Sequence, residues 1–220
     1  MFRRKQAPTS AAVSSSSSSG GVNHPAQAIA RVKKEYVECQ SDEGMKSCNI
    51  KLSLVEDSFV KLRGEIPGPL GTPFEGGVFQ LLIDIPQNYP FNPPIVKFET
   101  KVWHPNVSSQ TGVICLDILK DQWAAAMTLR TVMLSIQALM STPEPDDPQD
   151  AVVANQYRSN REEYNRTAKY WTDVYARPGV SEDDVKIKQL MDMGFDEAKC
   201  KTALAKAKGN VEQAIEHLFA

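Results

Sequence analysis

From Pro25 the apolar positions fall at Ile29, Val32 and Tyr36, one face of a helix, and a helix is predicted over 25–38. The period then shortens. Ile50, Leu52 and Leu54 alternate with polar residues, and Phe79, Leu81, Ile83 and Ile85 again repeat at period two. Such alternation marks half-buried strands, and Val60–Ile66 and Ile95–Phe98 are shorter strand candidates. Pro67-Gly68-Pro69, Gly76-Gly77 and Pro93-Pro94 punctuate these runs as turns. Connections this short favour an antiparallel meander. After residue 127 the helical period returns. Leu129, Val132, Met133, Ile136, Leu139 and Met140 share a face behind Thr128, the expected N-cap. Asn160 with Glu163 reads as a capping box with Asn in the cap position, ahead of a face of Tyr164, Thr167, Ala168, Trp171 and Tyr175. One sheet followed by segregated helices is an α+β layout. The last stretch reads as three short helices. Asp196 caps the second, Gly209-Asn210 separates the second from the third, and Val211, Ala214, Ile215 and Leu218 line the third.

Composition divides the chain. Ser14 to Ser19 is an unbroken run, followed by Gly20 and Gly21, with too little apolar surface to offset the entropy of ordering. Arg3, Arg4 and Lys5 are the only charges there. The segment lacks the apolar core of a secretory signal, and its faint likeness to a mitochondrial transit peptide has no amphipathic helix behind it. A second break falls at Arg177-Pro178-Gly179, before Glu182-Asp183-Asp184. The expected organisation is a disordered tail over 1–24, a main domain over 25–177, a linker over 178–182 and a small three-helix bundle over 183–220. The net charge of −2 argues against a nucleic-acid binder, and no apolar run approaches a membrane span. Cys39, Cys48, Cys115 and Cys200 form no CxxC pair, so neither zinc nor a disulfide framework is expected, and a reducing compartment is.

The candidate chemistry lies in Trp103-His104-Pro105-Asn106, followed nine residues after Asn106 by Cys115 and then Leu116-Asp117. A cysteine on a loop near an amide side chain is a candidate nucleophile, and a thioester keeps an acyl group reactive toward amines. The plainer alternatives stay open at this point: Cys115 as a small buried apolar residue, His104 as structural, Asn106 as a turn residue. His104 precedes Cys115, the reverse of the papain-type order, which disfavours a thiol hydrolase.

His-Pro-Asn followed by Cys-Leu, preceded by Tyr89-Pro90-Phe91-Asn92-Pro93-Pro94 and followed by Gln122-Trp123, Thr128 to Ile136 and Glu144-Pro145-Asp146-Asp147-Pro148, resembles the ubiquitin-conjugating enzyme family over about 28–176. Met193-Gly194-Phe195 makes the tail similar to a ubiquitin-associated (UBA) domain, so the pairing resembles the chain-forming subclass. The resemblance implies the conjugating fold: an N-terminal helix, a four-stranded antiparallel meander and C-terminal helices, with the small bundle behind. It implies an acyltransferase that accepts ubiquitin on Cys115 as a thioester and passes it to a lysine amine. Proteasome-targeting chains through the lysine at position forty-eight of ubiquitin are implied for the subclass. The alternative is a non-enzymatic ubiquitin-binding adaptor on the same fold.

By the same resemblance Cys115, Asn106 and Asp147 are catalytic. Asn106 would either bond the oxyanion or hold the loop. Asp147 would orient the incoming lysine, unless it caps a helix ahead of Pro148, a task Asp150 can also perform. His104 and Asp117 would support the site. Arg31, Lys33 and Lys34 would meet the activating enzyme, and Phe91, Ala125 and Ala126 would meet RING-type ligases. Leu134 and Ser135 would contact donor ubiquitin, with ordinary helix packing as the alternative. Met193, Gly194, Phe195, Leu218 and Phe219 would bind ubiquitin non-covalently, unless Leu218 is purely core. No metal and no stably bound cofactor is expected, since ATP is consumed upstream by the activating enzyme. A monomer is expected, without nucleic-acid or membrane partners, in the cytoplasm, with the nucleus left open.

Overall fold

The structure is a computed structural model that describes residues 26–179 and 181–219. The serine-rich segment and Pro25 lie outside these residues. Helix α1 (Ala26–Ser41) and a short α2 (Glu43–Ser47) precede four strands, β1 (Lys51–Val55), β2 (Ser58–Pro67), β3 (Val78–Asp84) and β4 (Ile95–Phe98). The strands pair in order β1-β2-β3-β4, each pair antiparallel, as the short turns require. A long irregular stretch follows, broken by a 3₁₀ turn at Asp117–Leu119. Helices α3 (Leu129–Ser141), α4 (Ala151–Ser159) and α5 (Arg161–Tyr175) complete the main domain. Helices α6 (Glu182–Asp192), α7 (Glu197–Lys206) and α8 (Val211–Phe219) form the tail.

Period two delivers the core as expected. Phe79, Leu81 and Ile83 are buried along β3, across from Ile66, Gly64 and Leu62 of β2 and, for the last two, from Phe98 and Val96 of β4. Gly64 interrupts the buried row for a packing reason. A Cβ there would lie 2.6 Å from Met133 Cε, so the missing side chain lets α3 lie against the sheet. Val132, Met133, Ile136 and Met140 of α3 are buried. Thr128 caps α3 through its side chain, as the sequence predicts.

Three local features differ from the sequence reading or extend it. The sequence reading gave no α2, which Asp42 caps by accepting from Met45 N–H at 2.8 Å while Met45 fills the core. Asn160 caps α5, but its backbone N–H is already donated to Gln156 O at the end of α4. The box therefore closes through the Asn160 amide onto Glu163 Oε2 at 2.9 Å. The acidic run at 182–184 is the first turn of α6, where Ser181 and Asp184 form a reciprocal capping box. Leu190, Cys200, Leu204 and Ala214 make the tail's own buried cluster.

A buried carboxylate joins α1 to the rest. Glu35 is 2% exposed, and its Oε2 accepts from Tyr89 Oη at 2.7 Å and from Leu129 N–H at 2.8 Å. Its Oε1 pairs with the Arg31 guanidinium, which also donates to Met127 O at 3.3 Å. Burial and Glu35 together push the Tyr89 phenol far above its ordinary range, so it remains a donor. Removing Glu35 leaves Arg31 and two buried donors without their acceptor. Glu35→Ala is therefore expected to lower stability by about 3 kcal/mol, read as an earlier urea midpoint with an unchanged slope.

Candidate active site

The candidate nucleophile sits in irregular chain between β4 and α3. The segment 104–115 folds back on itself through bridges His104↔Val107 and Val107↔Ile114. Cys115 N–H donates to Asn106 O at 2.8 Å, so the asparagine and the cysteine are neighbours in space. Lys97↔Val113 and Phe98 N–H to Gly112 O (2.9 Å) pin this fold-back to β4. Gly112 has φ +73°, and a Cβ there would lie 2.0 Å from Phe98 O, so this approach needs glycine.

The Asn106 side chain holds a second irregular segment. Its Nδ2 donates to Glu144 O at 2.8 Å and Asp147 O at 2.9 Å, and its Oδ1 accepts from Glu144 N–H at 2.8 Å. Both amide hydrogens are thus committed to the 144–147 backbone, which is the loop-holding arrangement. Gln149 and Asp150 N–H both donate to Pro105 O at 2.9 Å. Asp150 takes the N-cap of α4 by accepting from Val152 and Val153 N–H, and its Oδ2 also accepts from Ser109 Oγ at 2.6 Å. Burial pushes the Asp150 carboxyl up, but these donors outweigh it and leave it below the ordinary range. Asp147 is thereby relieved of capping, stays exposed, and places Oδ2 3.4 Å from Cys115 Sγ.

His104 is fully buried. Its Nδ1 accepts from Asn106 N–H at 3.0 Å, which leaves Nε2 to donate to Leu139 O at 3.1 Å. Burial pushes its pKa down to about 4, against a smaller opposing pull from Leu139 O. It is a neutral brace between the loop and α3. The Asp117 carboxylate accepts from Ile118 N–H at 2.7 Å and opens the 3₁₀ turn. That turn brings back a residue absent from the sequence-derived set: Lys120, whose Nζ lies 3.0 Å from Cys115 Sγ. A lysine five positions beyond the cysteine, across a run able to form one tight turn, is the signal that marks it. The hydrogen bond to Cys115 is the main cause that raises its ammonium above the ordinary value.

The remaining candidates lie apart from the thiol. Phe91 is 77% exposed, which removes core packing as its explanation, and Ala125 and Ala126 are exposed as well. Trp123 Nε1 donates to Pro90 O at 2.8 Å and ties these two loops together. Lys33 and Lys34 are exposed on α1, Lys33 over the Phe59 ring and Lys34 3.8 Å from Glu38. Arg31 is instead engaged inward with Glu35. Leu134 and Ser135 are half-buried on α3, and Leu134 packs against the core. In the tail, Met193 and Phe219 are exposed, and the Phe219 ring meets Phe195 edge-on at 5.1 Å. Gly194, at φ +96°, makes the turn between α6 and α7. Leu218 is partly buried against the tail core.

The sequence profile of the family described as ubiquitin-conjugating enzyme matches residues 31–172, and the UBA/TS-N domain profile matches residues 182–218. Ubiquitin-conjugating enzyme E2-22 kDa of Drosophila melanogaster is 55% identical over 194 residues, covering 87% of this chain and 98% of its own. Human ubiquitin-conjugating enzyme E2 K is 56% identical over 194 residues, covering 87% and 97%. The solved E2 domain of a Toxoplasma gondii ubiquitin conjugating enzyme superposes with a TM-score of 0.63 at 50% identity, covering 67% of this chain and 99% of its own.

Two outcomes follow from the bracing residues. Asn106→Ala removes three hydrogen bonds of a buried amide to the Glu144 and Asp147 backbone, so it is expected to cost about 2 kcal/mol in stability, read by urea unfolding. His104 has a lower pKa folded (about 4) than in the open chain (6.5), so the unfolded state takes up the proton first as the pH falls. The stability from its neutral burial is complete above about pH 6.5 and is lost as the pH falls toward 4, by about 3 kcal/mol in all. Denaturation midpoints measured between pH 4 and 7 are expected to fall on that side, with a flatter profile in His104→Gln.

Proposed function

Because the chain belongs to the ubiquitin-conjugating enzyme family and carries a UBA domain behind its conjugating core, we propose that Cys115 is the acyl carrier of a two-step ubiquitin transfer. As a ubiquitin transferase the chain works with an activating enzyme and with ligases, and the adaptor reading falls away. In the first step the Cys115 sulfur attacks the thioester carbonyl on the activating enzyme, whose own thiol leaves. In the second, a lysine nitrogen attacks the new thioester. The C–S bond breaks, the Cys115 thiol is restored, and the lysine proton is released as the isopeptide forms.

The single observation behind this assignment is the placement of the Asp147 carboxylate 3.4 Å from Cys115 Sγ, on a segment whose backbone Asn106 holds. An anionic group fixed beside the thioester attracts and aligns the ammonium of an incoming lysine and favours the pose in which it loses its proton. Asn106 then acts as a positioning residue for Asp147. His104 holds Asn106, and Asp117 sets the turn beyond the thiol. Lys33 and Lys34 are the cationic contacts offered to the activating enzyme. Phe91, Ala125 and Ala126 form the surface offered to RING-type ligases. Leu134 and Ser135 lie where donor ubiquitin would fold back on α3.

The tail supplies a second, non-covalent ubiquitin contact through Met193, Gly194, Phe195 and Phe219, with Leu218 anchoring it from the core side. A tether this short raises the local concentration of bound ubiquitin to the order of mM. That favours growing a chain already held, and the proposed linkage is through the lysine at position forty-eight of ubiquitin.

Incubation with activating enzyme, ATP and ubiquitin is expected to give a thiol-sensitive adduct on a non-reducing gel. The adduct is absent in Cys115→Ala and becomes a stable oxyester in Cys115→Ser. Asp147→Asn is expected to charge normally but to discharge onto lysine about 10²-fold more slowly. Combined Met193→Ala and Phe219→Ala is expected to shorten the chains made per encounter without slowing charging, read from the length distribution on a reducing gel.

A further inference from the structure

A cavity of about 520 Å³ opens where the β2–β3 turn, the end of α3 and the first turns of α5 meet. Part of its wall is apolar: Phe74 and Met140 are buried, and Pro143 and Tyr157 are half-buried beside them. The α5 side is cationic, with Arg161, Arg166 and Lys169. Lys169 is shared with Asp173 at 2.8 Å. Among the described residues no acid lines the cavity, and neither guanidinium is paired with a carboxylate. Glu75, on the same turn, is taken by Gly71 N–H at 2.8 Å.

One more polar group in the wall is unspent. Tyr164 is 2% exposed, and its buried hydroxyl has no hydrogen-bond partner. Buried polar groups are normally satisfied, so a leftover hydroxyl in a cavity wall calls for a partner. Burial, and after it Tyr157, push this phenol above its ordinary range, against a smaller opposing pull from Arg161. It therefore keeps its proton and serves as a donor. The Arg161 guanidinium carbon lies 3.6 Å from the Tyr157 ring centroid and 5.8 Å from that of Tyr164, and the two rings meet edge-on at 4.8 Å. Stacking fixes the guanidinium plane and leaves its N–H fork for an anion.

We propose that this cavity binds an aryl phosphate, the chemistry of a phosphotyrosine side chain or of a free aromatic phosphate. Two guanidinium forks, an ammonium and a hydroxyl donor match the charge and the several acceptor oxygens of a phosphate better than the single charge of a carboxylate. An aromatic body covers the Phe74, Met140 and Pro143 surface, which an aliphatic phosphate of serine size leaves wet. The volume falls within the range of pockets that enclose small ligands. Leu70, 87% exposed beside Gly71 of the lining, offers an apolar contact to residues flanking a protein-borne phosphotyrosine. The site lies apart from the thiol and does not depend on Cys115 acting as acyl carrier. It does share a segment with it, since Pro143 lines the cavity and the next residue, Glu144, is held by Asn106.

The test titrates the full chain with phenyl phosphate, followed by amide NMR shifts and by calorimetry. A Kd on the order of 10⁻⁴ M is expected, with the largest shifts at Gly71, Thr72, Glu144 and Asn165. Phenol and inorganic phosphate are each expected to bind about tenfold more weakly, because each meets only half of the site. Arg166→Gln is expected to weaken phenyl phosphate about tenfold and Tyr164→Phe about threefold, with Lys51→Gln unchanged. Tyr164→Phe loses only an unpartnered hydroxyl, so its fold is retained. Equal affinity for phenyl phosphate and inorganic phosphate, unchanged affinity in Arg166→Gln, or largest shifts away from the cavity overturns the proposal. A peptide carrying one phosphotyrosine between apolar residues is the second arm. Binding about tenfold tighter than phenyl phosphate assigns the phosphate to a protein partner, and equal or weaker binding assigns it to a free aromatic phosphate.

Discussion

Everything at the site depends on one requirement: buried backbone polar groups need partners, and the chain around Cys115 has no regular ladder to supply them. Between the end of β4 and the start of α3 only the 3₁₀ turn is periodic. Side chains replace the missing ladder. Asn106 satisfies three bonds of the 144–147 backbone, and His104 takes one from Asn106 and gives one to Leu139. Only a neutral imidazole meets both of its partners, since a second ring proton would point at the Asn106 N–H. The burial that lowers its basicity and the hydrogen-bond pattern that needs one tautomer act in the same direction.

A second buried group organises the opposite side of the domain. A carboxylate taken out of water costs several kcal/mol, and Glu35 is tolerable because a guanidinium, a phenol and a helix-terminal N–H converge on it. The partners come from α1, from the segment before Phe91 and from the first residue of α3. With Trp123 donating to Pro90 O, the two loops that expose Phe91 and Ala125-Ala126 are fastened to the same block as α1. Any partner that binds across those loops meets a preformed surface, which lowers the ordering cost of association.

Much of this was legible in the sequence where periodicity speaks directly. The β3 and β4 runs, the α3 face behind Thr128 and the Asp196 and Asn210 caps of the tail all follow from local pattern. The resemblance named Cys115, Asn106 and Asp147, but which partner each side chain takes is a tertiary fact. Period alone gives no sign that Arg31 turns inward, because that depends on Glu35 being buried under Tyr89 and Leu129. The choice between Asp147 and Asp150 as a cap was open in sequence, and the two donations to Pro105 O decide it by fixing where α4 begins. Hydrophobic periodicity does not mark Lys120, because its place beside Cys115 comes from the intervening turn and from nothing in the apolar pattern.

The joint between α4 and α5 limits how this chain can change. Asn160 is at once the last cap of one helix and the first cap of the next, so no spare residue separates them. One residue inserted into the first turn of α5 would turn the rest of that helix by about 100° relative to α4. That rotation would carry Trp171 away from Trp103, whose rings now meet at 4.9 Å, and with it the Trp103 donation to Gln156 on the preceding helix. Substitutions on the exposed faces of both helices are easily absorbed, whereas a change of length at this corner is not. Variation among relatives should therefore collect in residue identity here and leave the spacing between the two helices fixed.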